Sequence, residues 1–208
     1  MTRGDIKTQA AVYLGDIGAS FYDDTDLNTS IQEAYTAIVA KTQAIKTNGT
    51  ISVGCKNFID LRAAFSDYQG CLGIFNVPQN VWLWDDISYP QGFQRMRNDW
   101  QHSVGQPRSW APVDSRQVVV FPRMTQGSTT SLQVFYSQVA PTLTNDSDVI
   151  LLPENFNKDI LDYVQADLLE QFKEFSKALG HWKNYYDARK SRATQVSQLA
   201  KASLRMMA

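Results

Sequence analysis

Asp85 and Asp86, directly after Trp82-Leu83-Trp84, are the residues whose types most suggest chemistry. A glycosidase works with two carboxylates set apart across a cleft, often beside aromatic rings that stack on sugar. Neighbouring residues of a strand point to opposite faces. Asp85 and Asp86 therefore cannot flank one bond, and each needs a distant partner. Glu33, Glu154, Glu170 and Glu174 all fall on helical patterns. A polar turn that closes a strand accounts for the aspartate pair more simply. Nucleophilic catalysis has less support, because there is no Gly-x-Ser-x-Gly turn and neither His102 nor His181 has a base partner nearby in sequence. The chain carries no Gly-rich phosphate loop and no dinucleotide fingerprint. Cys55 and Cys71, its only cysteines, lack the paired spacing of a zinc site. The expectation is a protein with no catalytic residue, no metal and no cofactor.

Charge is distributed more tellingly than its sum of −1 suggests. Residues 1–30 set Arg3 and Lys7 against Asp5, Asp16, Asp23, Asp24 and Asp26. Residues 181–208 carry Lys183, Arg189, Lys190, Arg192, Lys201 and Arg205 against Asp187 alone. Ends of opposite sign either attract one another or meet different partners. The basic residues follow a helical pattern toward its C-terminal end, where cations oppose the helix dipole. Arg3-Gly4-Asp5 spells an adhesion tripeptide that chance explains. Asp5, Lys7 and Gln9 interrupt any leader-like apolar run, and no stretch approaches the ~20 apolar residues of a membrane helix. The chain is expected to be made in a reducing cytoplasm with free thiols and no membrane partner.

The elements that must position these residues fall into three blocks. Residues 1–49 read as helical. A short helix over residues 5–14 ends at Gly15 and Gly18, and a second carries Ile31, Ala34, Tyr35, Ile38 and Ile45 on one face. Ser30-Ile31-Gln32-Glu33 reads as its capping box, with Asp26 as a rival start one turn earlier, and Asn48-Gly49 as its stop. Residues 50–150 read as β-rich, with strands at Thr50–Val53, Phe58–Leu61, Leu72–Val77, Val81–Trp84, Val118–Phe121 and Leu132–Ser137. Arg62–Phe65 suits a helical turn as an alternative, and residues 91–106 suit a loop that touches a neighbour. Phe135 breaks an otherwise alternating strand, which implies that its outer face is covered.

Residues 151–208 return to helix after Pro153, with a stripe of Phe156, Ile160, Val164, Leu168, Phe172, Phe175 and Leu179. Helix propensity places a break at Gly180. The fold class is therefore α+β: a helical bundle or hairpin formed by the N- and C-terminal segments, with an inserted β-rich domain. Four tryptophans, Trp82, Trp84, Trp100 and Trp110, crowd the β-rich block. At least one is expected to anchor a subunit interface, where Trp is favoured.

One long stretch carries a further signal. Gly105-x-Pro107 and Trp110 precede the strand Val118–Phe121 and Pro122. The strand ending in Tyr136 follows, then Pro141, the acidic turn Asp146-Ser147-Asp148, and Leu152-Pro153-Glu154 opening a helix with Ile160 and Tyr163. Asp5-Ile6, Ala10, Leu14, Asp16, Asp26-Leu27, Ile31 and Ala34-Tyr35 fit at the N-terminus. This order resembles the head–tail adaptor, or connector, proteins of tailed bacteriophages. The resemblance implies a structural virion protein, not an enzyme, in a homo-oligomeric ring commonly of twelve copies beneath the portal protein. It implies contact with a tail or nozzle protein and a channel that packaged DNA traverses without sequence-specific binding. It also moves the break between the last two helices to Lys173–Phe175, with Ala178, Trp182 and Tyr185 on the second. Docking on the portal is the preferred role for the basic residues Lys183, Arg189, Lys190, Arg192, Lys201 and Arg205; lining the DNA channel is the other. The rival readings are a virion-associated cell-wall hydrolase, another ring component such as a stopper or tail terminator, and a small DNA-binding regulator.

Overall fold

The computed structural model describes residues 1–15, 22–85 and 102–206, with side chains as far as Arg192. The chain divides into two units, one from residues 1–45 and 140–208 and the other from residues 46–139. The first is helical and the second holds two four-stranded sheets. The protein is therefore mixed α+β.

Helix α1 (Arg3–Leu14) starts from a capping box between Thr2 and Asp5, which satisfies backbone N–H groups that helix geometry leaves free. Gly15 ends it at a φ of 72°, a left-handed conformation that glycine adopts without a Cβ penalty. Helix α2 (Asp24–Thr42) begins two turns before the expected Ser30 box. Asp23 is the true cap, accepting from the Thr25 N–H, and Ser30 is buried in the helix interior. The helix also ends early, at Gln43 with a φ of 50°. Asn48-Gly49, expected as its stop, instead lies inside strand β1 (Lys46–Val53), opposite Phe135 and Val134. Gly49 is needed there for close approach, because a Cβ would collide with the Phe65 ring.

After Pro153 a single 3₁₀ turn (Glu154–Phe156) leads into α3's larger successors; α3 itself is the short turn Leu61–Ala64 in the β unit. Helix α4 (Asn157–Gln171) is buried on nearly every side among α1, α2 and α5 (Phe175–Met206). The break between α4 and α5 lies at residues 172–174, where the family pattern placed it, and Gly180 sits within α5. Lys173 adopts a φ of 63°. The Glu174 N–H reaches Leu169 O at 2.8 Å and the Lys173 N–H reaches Glu170 O at 2.9 Å, the two bonds of a Schellman ending. Propensity failed here because packing overrides it. Ala178 and Tyr185 must both be buried, and a helix starting at Phe175 achieves this.

In the β unit the first sheet runs β1–β8–β3–β4, with β3 at Tyr68–Asn76, β4 at Val81–Trp82 and β8 at Thr130–Gln138. The second runs β2–β7–β6–β5, with β2 at Phe58–Asp60, β5 at Trp84–Asp85, β6 at Ser109–Pro112 and β7 at Gln117–Phe121. All neighbours are antiparallel except β5 and β6. One core joins the sheets, with Ile74, Leu132, Val134 and Tyr136 from the first, Trp110, Val118 and Val120 from the second, and Leu83 from the link between β4 and β5. Strand β6 is absent from the strands expected from sequence, since Pro112 ends it after only four residues.

Candidate functional site

The acidic turn and the N-terminus turn out to serve each other. The Arg3 guanidinium is buried and donates twice to Asp146 Oδ1, at 2.8 and 3.0 Å, and once to Leu143 O at 3.1 Å. Lys7 joins Asp146 and Asp24 at 3.2 and 3.0 Å. Arg3 and Lys7 therefore hold the Asp146 carboxyl below the usual carboxylate range. Asp148 closes its own turn by accepting from the Thr144 and Asn145 N–H groups, which lowers its pKa in the same way. The Arg3-Gly4-Asp5 tripeptide is thus spent internally, with Arg3 in an ion pair and Asp5 in a cap.

The α4–α5 seam holds two polar contacts that sequence reading missed. Arg192 grips Asp159 at 2.9 Å from Nε and 3.0 Å from Nη2, and its guanidinium lies 4.7 Å from the centre of the Phe156 ring. Burial pushes the Asp159 carboxyl up to about 6, against the opposing pull of Arg192. Three residues further along α4, Asp162 Oδ1 lies 3.3 Å from His181 Nδ1. The signal was present as two aspartates, three apart, on an otherwise buried helix. Buried carboxylates need partners.

Arg192 is therefore engaged inside its own unit. Arg189 lies over the Tyr186 ring at 5.9 Å. Lys183 and Lys190 are exposed on α5. Lys201 and Arg205 are on the same helix, with side chains outside the described residues. The six basic residues thus share one helix.

The same seam corrects the apolar stripe. Phe156, Ile160, Val164 and Leu168 are buried as expected, but Phe172, Phe175 and Leu179 are 46%, 60% and 69% exposed. The helix ends before these residues can continue the stripe, so they emerge on another face. Phe175, Leu179, Trp182 and Tyr186 follow at spacings of four, three and four along α5. Tyr186 is also exposed, and Trp182 is half-buried against Tyr163, with ring centres 5.0 Å apart. The Trp182 indole N–H donates to Glu170 at 2.9 Å. Burial, then the charges of Glu33 and Asp167, push the Tyr163 phenol up to about 12. An apolar ridge with an acidic margin results.

A second exposed aromatic surface lies on the β unit. Trp82 covers the outer face of the first sheet, with ring centres 5.4 Å from Phe75 and 4.9 Å from Phe135. This is the cover that the broken alternation at Phe135 implied. Trp84, on an edge strand of the second sheet, is 80% exposed. Trp110 is 3% exposed and belongs to the core. Trp100 and Asp86 lie outside the described residues, as does most of the loop expected at 91–106.

Asp85 lines a cleft of about 330 Å³ with Tyr68, Cys71, Trp110 and Asp114. Burial pushes both the Cys71 thiol and the Tyr68 phenol up to about 12. Both hold their protons at neutral pH, so neither is an activated nucleophile or base. Among the described residues, no three His, Cys, Asp or Glu side chains group as a metal requires, and no helix is long and apolar enough to cross a membrane.

The family model described as SU10 adaptor protein matches residues 1–207. No curated protein matches the chain.

Proposed function

Because the chain belongs to the SU10 adaptor protein family, a family of phage structural adaptors, we propose that it joins head to tail as a ring beneath the portal. The match along nearly the whole chain carries this reading, since it takes in both units and not one shared motif. The protein is a virion component that works by contact with other head and tail proteins, a role that requires no catalysis. Twelve copies, made in the host cytoplasm, pack side by side through their helical units and extend the channel for DNA. Contacts that repeat head to tail close into such a ring when the rotation between copies is right. The exposed α5 lysines, Lys183 and Lys190, meet an acidic surface of the portal. Trp82 and Trp84 on the β unit meet a neighbouring copy or a tail or nozzle protein, because large exposed rings on a sheet make strong anchors once a partner buries them.

Mixing the purified protein with its cognate portal and imaging by negative-stain electron microscopy tests the proposal. An annulus of added density on one face of the portal is expected. Portal particles that stay bare at saturating protein would refute it. A zymogram on peptidoglycan checks the rival hydrolase: clearing that disappears with Asp85→Asn would replace the structural reading.

A further inference from the structure

From the ridge on α5 we infer a specific contact between copies: the ridge Phe175, Leu179, Trp182 and Tyr186 receives the C-terminal end of α5, residues 193–206, from a second copy of the chain. The inference rests on the ring reading and names the surfaces that close it.

Three observations carry it. The ridge leaves Phe175, Leu179 and Tyr186 exposed, with Trp182 half-buried among them, along about 17 Å of helix at 1.5 Å per residue. Its 4-3-4 spacing suits a second helix laid alongside. Its margin on the α4 side is acidic, with Glu33, Asp167 and Glu170 around Tyr163 and Trp182, while Arg189 lies over Tyr186 at its far end. A matching occupant has to be helical, apolar on one side and basic on the other.

The chain itself contains such a segment. Helix α4 runs antiparallel to α5, and its first turn is already level with Arg192, through Phe156 and Asp159. Helix α5 continues from there to Met206, about 21 Å further. That overhang has apolar residues at Val196, Leu199, Ala200 and Leu204, includes Lys201 and Arg205, and contains no acidic residue. Ridge and overhang are similar in length and opposite in charge.

They also stand at opposite ends of one continuous helix. A helix cannot fold back on its own first turns, so no copy can fill its own ridge. The overhang of each copy must enter the ridge of the next, a head-to-tail contact that closes a ring or propagates. This assigns Lys201 and Arg205 to the neighbouring copy and leaves Lys183 and Lys190 to the portal.

Charge reversal on full-length protein tests the contact. One variant carries Lys201→Glu and Arg205→Glu, a second Glu33→Lys and Glu170→Lys, and a third all four changes. Ring assembly is followed by sedimentation velocity, alone and on the cognate portal, and far-UV circular dichroism checks folding. Each double variant is expected to need at least about tenfold more protein to assemble, a shift typical of lost charge complementarity. The fourfold variant, and an equal mixture of the two double variants, should recover. Leu179→Ser, at an exposed position, should weaken assembly without changing any charge. Native-like assembly by both double variants would overturn the contact while leaving the ring reading intact. So would a folded fourfold variant as deficient as its parents. A native chain that forms no ring with or without portal would end both.

Discussion

Arg192→Met is the most informative single change in the helical unit. Methionine keeps the length and apolar bulk of the side chain but removes the cation that faces Asp159. The carboxylate is 3% exposed and Arg192 17%, so water cannot take over the lost partner. Breaking a buried pair on one side costs about 3–5 kcal/mol, a large share of the ~5–15 kcal/mol that holds a domain folded. At neutral pH and above, the melting temperature followed at 222 nm should fall by about 10–20 °C. The pH dependence sharpens the test. Asp159 already titrates near 6 in the folded protein, above its ordinary 3.8, because burial outweighs Arg192. A group raised on folding contributes stability that is complete below its unfolded pKa and is lost as pH rises through the folded one. Without the guanidinium the folded value climbs further. The deficit of the variant should therefore be small at pH 5 and full at pH 8. Adding Asp159→Leu should restore most of the loss at pH 8, since an apolar pair replaces a buried ionic pair at little cost. An equal deficit at pH 5 and pH 8, or one below about 1 kcal/mol at pH 8, would refute the account of a carboxylate trapped without water.

Arg3→Ala should release the N-terminus from the Asp146 turn and lower the melting temperature of the helical unit. The native protein's contribution from this contact is present above the ordinary carboxylate pKa of 3.8 and vanishes as pH falls below the depressed folded value of Asp146, so the two proteins should converge in strong acid. Gly49→Val should destabilise the β unit by about 1–3 kcal/mol, because the new side chain must displace Phe65 from its stack on Tyr136; denaturant unfolding followed by aromatic fluorescence measures it. Trp84→Ala should leave the melting temperature within a degree or so of native, since the ring is exposed, yet reduce recruitment to portal or tail partners in a pull-down. At pH 8, iodoacetamide should label exposed Cys55 and leave Cys71 largely unmodified, as shown by peptide mass spectrometry.

The amino-acid sequence determined the mixed α+β class and the return to helix after Pro153. It also revealed the inward face of β8, because apolar periodicity is a local property of the chain. It showed the order of motifs that links this chain to adaptor proteins. Local signals misled wherever a distant side chain decided the outcome. Asn48-Gly49 is a good helix stop by composition, yet Phe65, many residues away, requires that glycine in a strand. Gly180 is the weakest helix former in α5, yet burial of Ala178 and Tyr185 against α4 starts the helix earlier and carries it through. The four tryptophans look equivalent in sequence, and packing alone separates buried Trp110 from exposed Trp84. Tertiary structure also decided which charges remain for partners, by drawing Arg3 and Arg192 into internal pairs while Lys183 stays in water. Periodicity gives a residue a face, but only the folded chain determines whether another surface already covers it.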